Sequence, residues 1–134
     1  AVVSATPLRT PLSLQKGQVI DFPITTDPSS KKRMRTYSKE LAAQGASPLE
    51  ARTEVLAVQV LSPGRLEVTL QITTGVRHQI RCHLATLGWP IDGDLVYKGR
   101  AAPRLMLHAW RLSLPGVEQL IEAPLPAQWP TRTS

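Results

Sequence analysis

From Arg65 to Thr73 the chain alternates with period two. Leu66, Val68, Leu70 and Ile72 fall on one side, and Glu67, Thr69, Gln71 and Thr73 on the other. Such alternation lays an apolar face on one side of a half-buried strand. Residues 51–61, just before, are apolar on both faces around Val55 to Val60, which predicts a strand nearer the centre of a sheet. Ser62-Pro63-Gly64 between them is turn chemistry, so an antiparallel hairpin is expected. A third strand is predicted over 105–114, where Met106, His108, Trp110, Leu112 and Leu114 share a face, and it is expected to pair into the same sheet. Pro115-Gly116 then turn the chain into a short strand over 119–122, ended by Pro124 and Pro126.

Between the hairpin and the third strand the period changes. At roughly 100° per residue, Val76, Ile80, Leu84 and Leu87 form one face, which predicts a helix over about residues 76–87, from Val76 to Leu87. Thr73 or Thr74 would cap it and Gly88 would stop it. Upstream, residues 17–22 read as a short strand closed by Pro23, and residues 38–44 as one helical turn stopped by Gly45 and Pro48. Residues 1–16 have no period and read as an extended leader without a partner. Strands, helix, then strands, joined by hairpins, make an α+β fold: a mainly antiparallel sheet with one principal helix. Residues 1–134 are expected to form a single domain with a modest core.

Composition adds limits. A net charge of +6 is compatible with a polyanionic partner and equally with a plain basic surface. The single cysteine leaves no internal disulfide and suits a reducing compartment. No apolar run approaches the ~20 residues that span a bilayer. Leu8 to Leu14 is interrupted by Arg9, Thr10 and Pro11, unlike a signal peptide, so no membrane partner and a cytoplasmic location are expected.

The chemically versatile side chains crowd at 73–97: Arg77, Arg81, His78, His83, Cys82 and Gln79. Arg77 and Arg81, four apart, line up along the border of the helix's apolar face, a natural grip for phosphate or a base edge. His78 and His83 do not share a face, so no two-histidine metal pair is expected, and Cys82 reads as packing. Residues 27–35 read as a polar loop with Lys31, Lys32, Arg33 and Arg35, either merely solvated or touching phosphates. Gly93-Asp94 reads as a turn with a bond from the Asp94 side chain to the backbone. Tyr97 either caps the core edge or stacks on an unpaired base.

Thr74-Gly75-x-x-His78-Gln79-Ile80-Arg81-x-His83-Leu84, followed by Gly88-x-Pro90-Ile91-x-Gly93-Asp94-x-x-Tyr97, resembles the TGRxHQIRxHL…GxPIxGDxxY signature of the RluA-type pseudouridine synthases. The agreement continues at Leu107-His108-Ala109 and Ala123-Pro124-Leu125-Pro126. It is weaker at Gly17-x-Val19-x-x-x-Pro23-Ile24 and at Ala51-x-Thr53. The resemblance covers essentially the whole chain, but only the C-terminal half of such a catalytic domain.

That resemblance implies a part of an enzyme that isomerises uridine to pseudouridine in structured RNA, rRNA or tRNA. It implies that Arg81 pairs with the catalytic aspartate; the plainer alternative is a pair with a neighbouring carboxylate that serves the fold. It places Leu107 against the target base, or simply in a strand core, and gives His78 and Gln79 structural roles at the helix start. Arg33, Arg35, Arg77, Tyr97 and Leu107 are the candidate RNA-binding residues. No metal and no organic cofactor are implied. Two departures matter: Val76 stands where the signature has arginine, with Arg77 one position later, and the HRLDxxTSG segment bearing the catalytic aspartate is missing. The KxYxA strand with its tyrosine is missing too. The chain alone is therefore expected to be inactive and to need the N-terminal catalytic half in cis. A non-catalytic RNA-binding module on the same fold is the alternative.

Overall fold

The computed structural model describes residues 1–6, 12–108, 111–112 and 121–122. Its centre is the expected hairpin, β5 (Thr53–Ser62) and β6 (Arg65–Ile72), paired antiparallel with Val58 opposite Val68. Pro63 and Gly64 make the turn, and Gly64 takes the positive φ of 75° that such a turn requires at its second central position. On β6, Leu66 and Val68 are buried as the alternation predicts, while Ile72 at the far end is exposed.

The two-faced apolar pattern of β5 has a local cause. Its register shifts between Val55 and Ala57 and again between Val60 and Ser62. Each irregularity turns the following residues to the other face. Val55 and Leu61 are buried and Leu56 and Val60 exposed, and between the two shifts Val58, of the same parity as the exposed pair, packs against the main core. β5 is interior all the same, in a sheet of order β1-β6-β5-β2, with β2 (Val19–Ile20) on its other side.

β1 (Val2–Ser4) corrects the reading of residues 1–16 as an unpartnered leader. It pairs antiparallel with β6, Val3 opposite Leu66, and Val2 and Val3 are fully buried. Three residues are too few to display a period, so only the tertiary partner reveals this strand. Its other side is engaged as well. Val3 bridges Ile91, Asp92 donates its N–H to Val2, and Val2 donates to the Met106 carbonyl.

The strand expected over 105–114 does not join this sheet. Met106 donates to Asp92 and accepts from Val2, two separate segments, so a single irregular contact stands where a ladder was expected. β7 (Arg111–Leu112) pairs instead with β8 (Ile121–Glu122) in a two-stranded sheet of its own. The rest of the two expected strands, 109–110, 113–114 and 119–120, lies outside the described residues.

Residues 27–35 are not all loop. β3 (Ile24–Thr26) and β4 (Met34–Thr36) form a hairpin whose connection folds around the buried Asp27. α1 (Lys39–Ala43) follows, its Leu41 amide capped by Ser38 Oγ, as the expected single turn.

The principal helix, α2 (Gln79–Thr86), begins three residues later than expected, and neither threonine caps its amides. Thr74 gives its hydroxyl proton to Gln79 Oε1 at 2.7 Å, and His78 at the N-cap sits at φ 56°, in the left-handed region. α2 lies between two apolar clusters. Leu84 and Leu87 join Val2, Val3, Val55, Val68 and Ile91 in the main core. Cys82 joins Ile24, Met34 and Ala51 in a second cluster. Among the described residues no helix is long and apolar enough to cross a membrane.

Candidate active site and nucleic-acid interface

α2 owes its placement to two buried polar side chains. Gln79 donates through Nε2 to the Arg52 carbonyl at 2.8 Å and to Thr53 Oγ1 at 3.0 Å. Its Oε1 accepts from Thr74 and from the Val76 amide. His83, fully buried, donates Nε2–H to the Phe22 carbonyl at 3.0 Å and accepts at Nδ1 from Thr53 at 2.9 Å. This arrangement fixes the neutral tautomer, and burial lowers the His83 pKa accordingly. Both residues are structural, in line with the reading of Gln79 from sequence.

So anchored, α2 holds Arg81 against the turn at Gly93-Asp94. Gly93 has φ 82°, and a Cβ there would overlap the Arg104 carbonyl, so the turn admits only glycine. Arg81 Nε reaches Asp94 Oδ2 at 2.9 Å and Nη2 reaches Oδ1 at 2.8 Å, a side-on fork. The Asp94 side chain is fully buried and that of Arg81 is 19% exposed. Asp94 Oδ1 also accepts from the amides of Val96 and Tyr97, the backbone bonding the sequence predicted. The hydrogen-bonded carboxylate raises the Arg81 pKa, against the burial that would lower it. Among the described residues Arg81 Nη1 has no hydrogen-bond partner. The pairing with a neighbouring carboxylate, weighed from sequence as the plainer alternative, is thus present, and it leaves the outer end of the guanidinium uncommitted.

Tyr97 carries Arg81 over its ring, 5.4 Å from guanidinium carbon to centroid. Its hydroxyl accepts from the Met34 amide at 2.8 Å and lies 3.0 Å from His78 Nδ1. Since the hydroxyl oxygen already accepts, its proton points to an unprotonated Nδ1. Burial, then the Arg81 and Arg77 charges, lower the His78 pKa and keep that nitrogen free. Burial raises the Tyr97 phenol in turn. Tyr97 therefore ties α2, β4 and the 94–97 segment together.

The three buried aspartates each hold an arginine. Asp27 binds Arg33, Asp92 binds Arg65 and also accepts from Ser4 Oγ, and Asp94 binds Arg81. At Asp27, burial alone would raise the carboxyl, but hydrogen bonds from Ser29 and Arg33 outweigh it and hold the group below its usual range. Among the described residues no three or more His, Cys, Asp or Glu side chains are grouped to hold a metal ion.

A cleft of about 660 Å³ opens between α2, the β3–β4 hairpin and the 96–98 segment. It brings together three of the candidate RNA-binding residues, Arg33, Arg35 and Tyr97, and adds Lys98, which the sequence reading did not single out. Arg77 and Leu107 do not line it. Arg77 is exposed and donates to the Lys31 carbonyl, while Leu107 packs against the main core. The signal for Lys98 was its place directly after Tyr97. The Asp94 link to Arg81 had none, because thirteen residues separate them in sequence.

Comparison with solved structures gives the class first. Human RNA pseudouridylate synthase domain containing 1 superposes with a TM-score of 0.71 at 25% identity, over 94% of this chain and 52% of that one. Human RNA pseudouridylate synthase domain containing 4 gives 0.62 at 25% identity, over 95% of this chain and 56% of that one. The fold is that of a pseudouridine synthase domain, mostly antiparallel sheet with few helices.

The sequence narrows this further. The ribosomal large subunit pseudouridine synthase D of Nitrosomonas europaea is 35% identical over 129 residues, which take in 84% of this chain and 35% of the relative. The dual-specificity RNA pseudouridine synthase RluA of Escherichia coli K12 is 36% identical over 101 residues, 72% of this chain and 42% of that enzyme. No family model matches. The chain is a homologue of the RluA/RluD-type pseudouridine synthases and spans well under half the length of these curated relatives.

Proposed function

We propose that the chain is the Arg81-bearing part of a pseudouridine synthase that isomerises uridine to pseudouridine in structured RNA, rRNA or tRNA, in the cytoplasm. The observation that supports this most is the Arg81 fork. Asp94 takes the Nε/Nη2 side of the guanidinium and fixes its plane, leaving the Nη1 end to a second carboxylate. In the reaction that the resemblance to the pseudouridine synthases implies, uracil leaves its ribose, turns and rejoins through carbon, and an aspartate begins the process. An arginine held this way keeps such an aspartate ionised and oriented without reorganising during the reaction. The aspartate comes from a segment outside this sequence. Asp94, the aspartate that Arg81 holds here, has a fully buried side chain that also accepts from two backbone amides, and the relatives' lengths leave ample room for another. Arg33, Arg35 and Arg77 supply phosphate contacts, and Tyr97 and Leu107 line the approach to the base.

The test is a chimaera in which this chain replaces the matching stretch of the Nitrosomonas europaea relative, assayed by tritium release from RNA labelled at uridine C5. The chimaera should turn over, its Arg81→Ala form should not, and the 134-residue chain alone should be inactive. Turnover by the chain alone, or by the Arg81→Ala chimaera, overturns the reading. The commitment of every buried aspartate also favours a second reading, a non-catalytic RNA-binding module. An inactive but RNA-binding chimaera would select it.

A further inference from the structure

The cleft beside α2 has features that the Arg81 site does not use. Met34, Cys82 and Pro90, all buried, give it an apolar floor with Ala85 and Val96, beside Thr6, Thr36 and Thr86. Its rim is cationic, and none of its lining residues is acidic. Arg33 is tied to Asp27, but Arg35 and Lys98 are exposed and in no ion pair among the described residues. Among the described residues Lys98 is one of two non-glycine residues with positive φ, at 61°, and the Gly99 amide beside it is held by the Asp94 carbonyl. Backbone in that region persists only where its surroundings impose it, and such residues gather at ligand sites. Here the strain fixes a lysine at the mouth of a concavity whose size is within the ~300–1,000 Å³ of small-ligand sites.

We infer that this cleft holds an unpaired nucleotide of the RNA next to the target uridine, with its base on the Met34–Cys82–Pro90 floor and its phosphate between Arg35 and Lys98. This rests on the RNA reading above and adds to it a place, a strand state and two contacts. An apolar floor under a cationic rim suits a base joined to a phosphodiester. A bare phosphate would leave the floor wet, and a paired base would not reach it. Arg81 is not among the lining residues, so the subsite is separate from the reacting end of Arg81, with Tyr97 as the shared wall.

The probe is a short fluorescein-labelled single-stranded RNA carrying one 4-thiouridine, titrated into the 134-residue chain. Arg35→Gln/Lys98→Gln should weaken binding about tenfold and make the log–log salt dependence shallower by roughly 0.7, the value for one phosphate no longer neutralised. Arg100→Gln/Arg104→Gln, which removes two exposed cations outside the cleft, should change it less than about twofold, since only general charge is lost. Irradiation should cross-link the 4-thiouridine to peptides containing residues 33–36 or 96–98. Equal losses in the two variants, or cross-links elsewhere, overturn the subsite while leaving RNA binding intact. Displacement of the RNA by millimolar inorganic phosphate at constant ionic strength also overturns it, in favour of a simple anion site. If wild-type chain binds neither this RNA nor a structured one at low salt, the RNA reading fails along with the subsite.

Discussion

Replacing Asp94 by alanine takes away four hydrogen bonds at once: the two to Arg81 and those from the Val96 and Tyr97 amides. The dominant loss is electrostatic. Removing one partner of a buried ion pair costs about 3–5 kcal/mol, because the other charge is left desolvated and alone. Arg81 retains 19% exposure and regains some water, which favours the lower end of that range. With a urea slope of about 2 kcal/mol per molar for a chain of this size, the unfolding midpoint should fall by about 1.5–2 M. Arg81→Met should cost less, because Asp94 keeps its two amide donors. The double variant should be more stable than the sum of the two losses allows, by about 2 kcal/mol of coupling, as for residues in direct contact. Urea denaturation followed by tryptophan fluorescence measures all four proteins. A midpoint shift below about 0.5 M for Asp94→Ala, or strict additivity in the cycle, would refute the view that this fork holds the site together.

Acid should destabilise the fold below about pH 6.5. His78 and His83 both have pKa values lowered from 6.5 by burial, so the unfolded chain takes up protons there that the folded chain does not. The stability that these histidines contribute is therefore full above 6.5 and is lost as pH falls towards the folded values. His78→Asn, which tolerates the left-handed backbone, should flatten that slope in denaturation curves taken from pH 7.5 to 5, and an unchanged slope would count against the His78–Tyr97 bond. Burial pushes the Cys82 thiol up to about 11, so at pH 8 it should resist iodoacetamide until denaturant is added. Labelling of the native protein at the rate of a free thiol, read by mass spectrometry, would contradict its place in the core.

Wherever a residue's role depends on its near neighbours, the sequence carries it by itself. The alternation of Leu66 to Ile72 and the Pro63-Gly64 turn define the hairpin. The capped turn at Ser38 and the Asp94 bonds to amides two and three residues on are local for the same reason. The signature from Thr74 to Tyr97 singled out Arg81 because its spacing is itself local. Tertiary structure decided what local spacing does not encode. Val2 to Ser4 became a buried strand because β6 lies beside it, and no three-residue run announces that. Met106 lost its ladder to Asp92 and Val2, which belong to two segments far apart in the sequence. Thr74 gave its hydroxyl to a glutamine side chain held by Arg52 and Thr53, so the helix start shifted. The partner of Arg81 and the cleft that joins Arg35 to Lys98 likewise depend on segments that meet only in space. Hydrogen bonds and ion pairs go to whichever donor or acceptor folding brings within reach, and sequence separation does not record that distance.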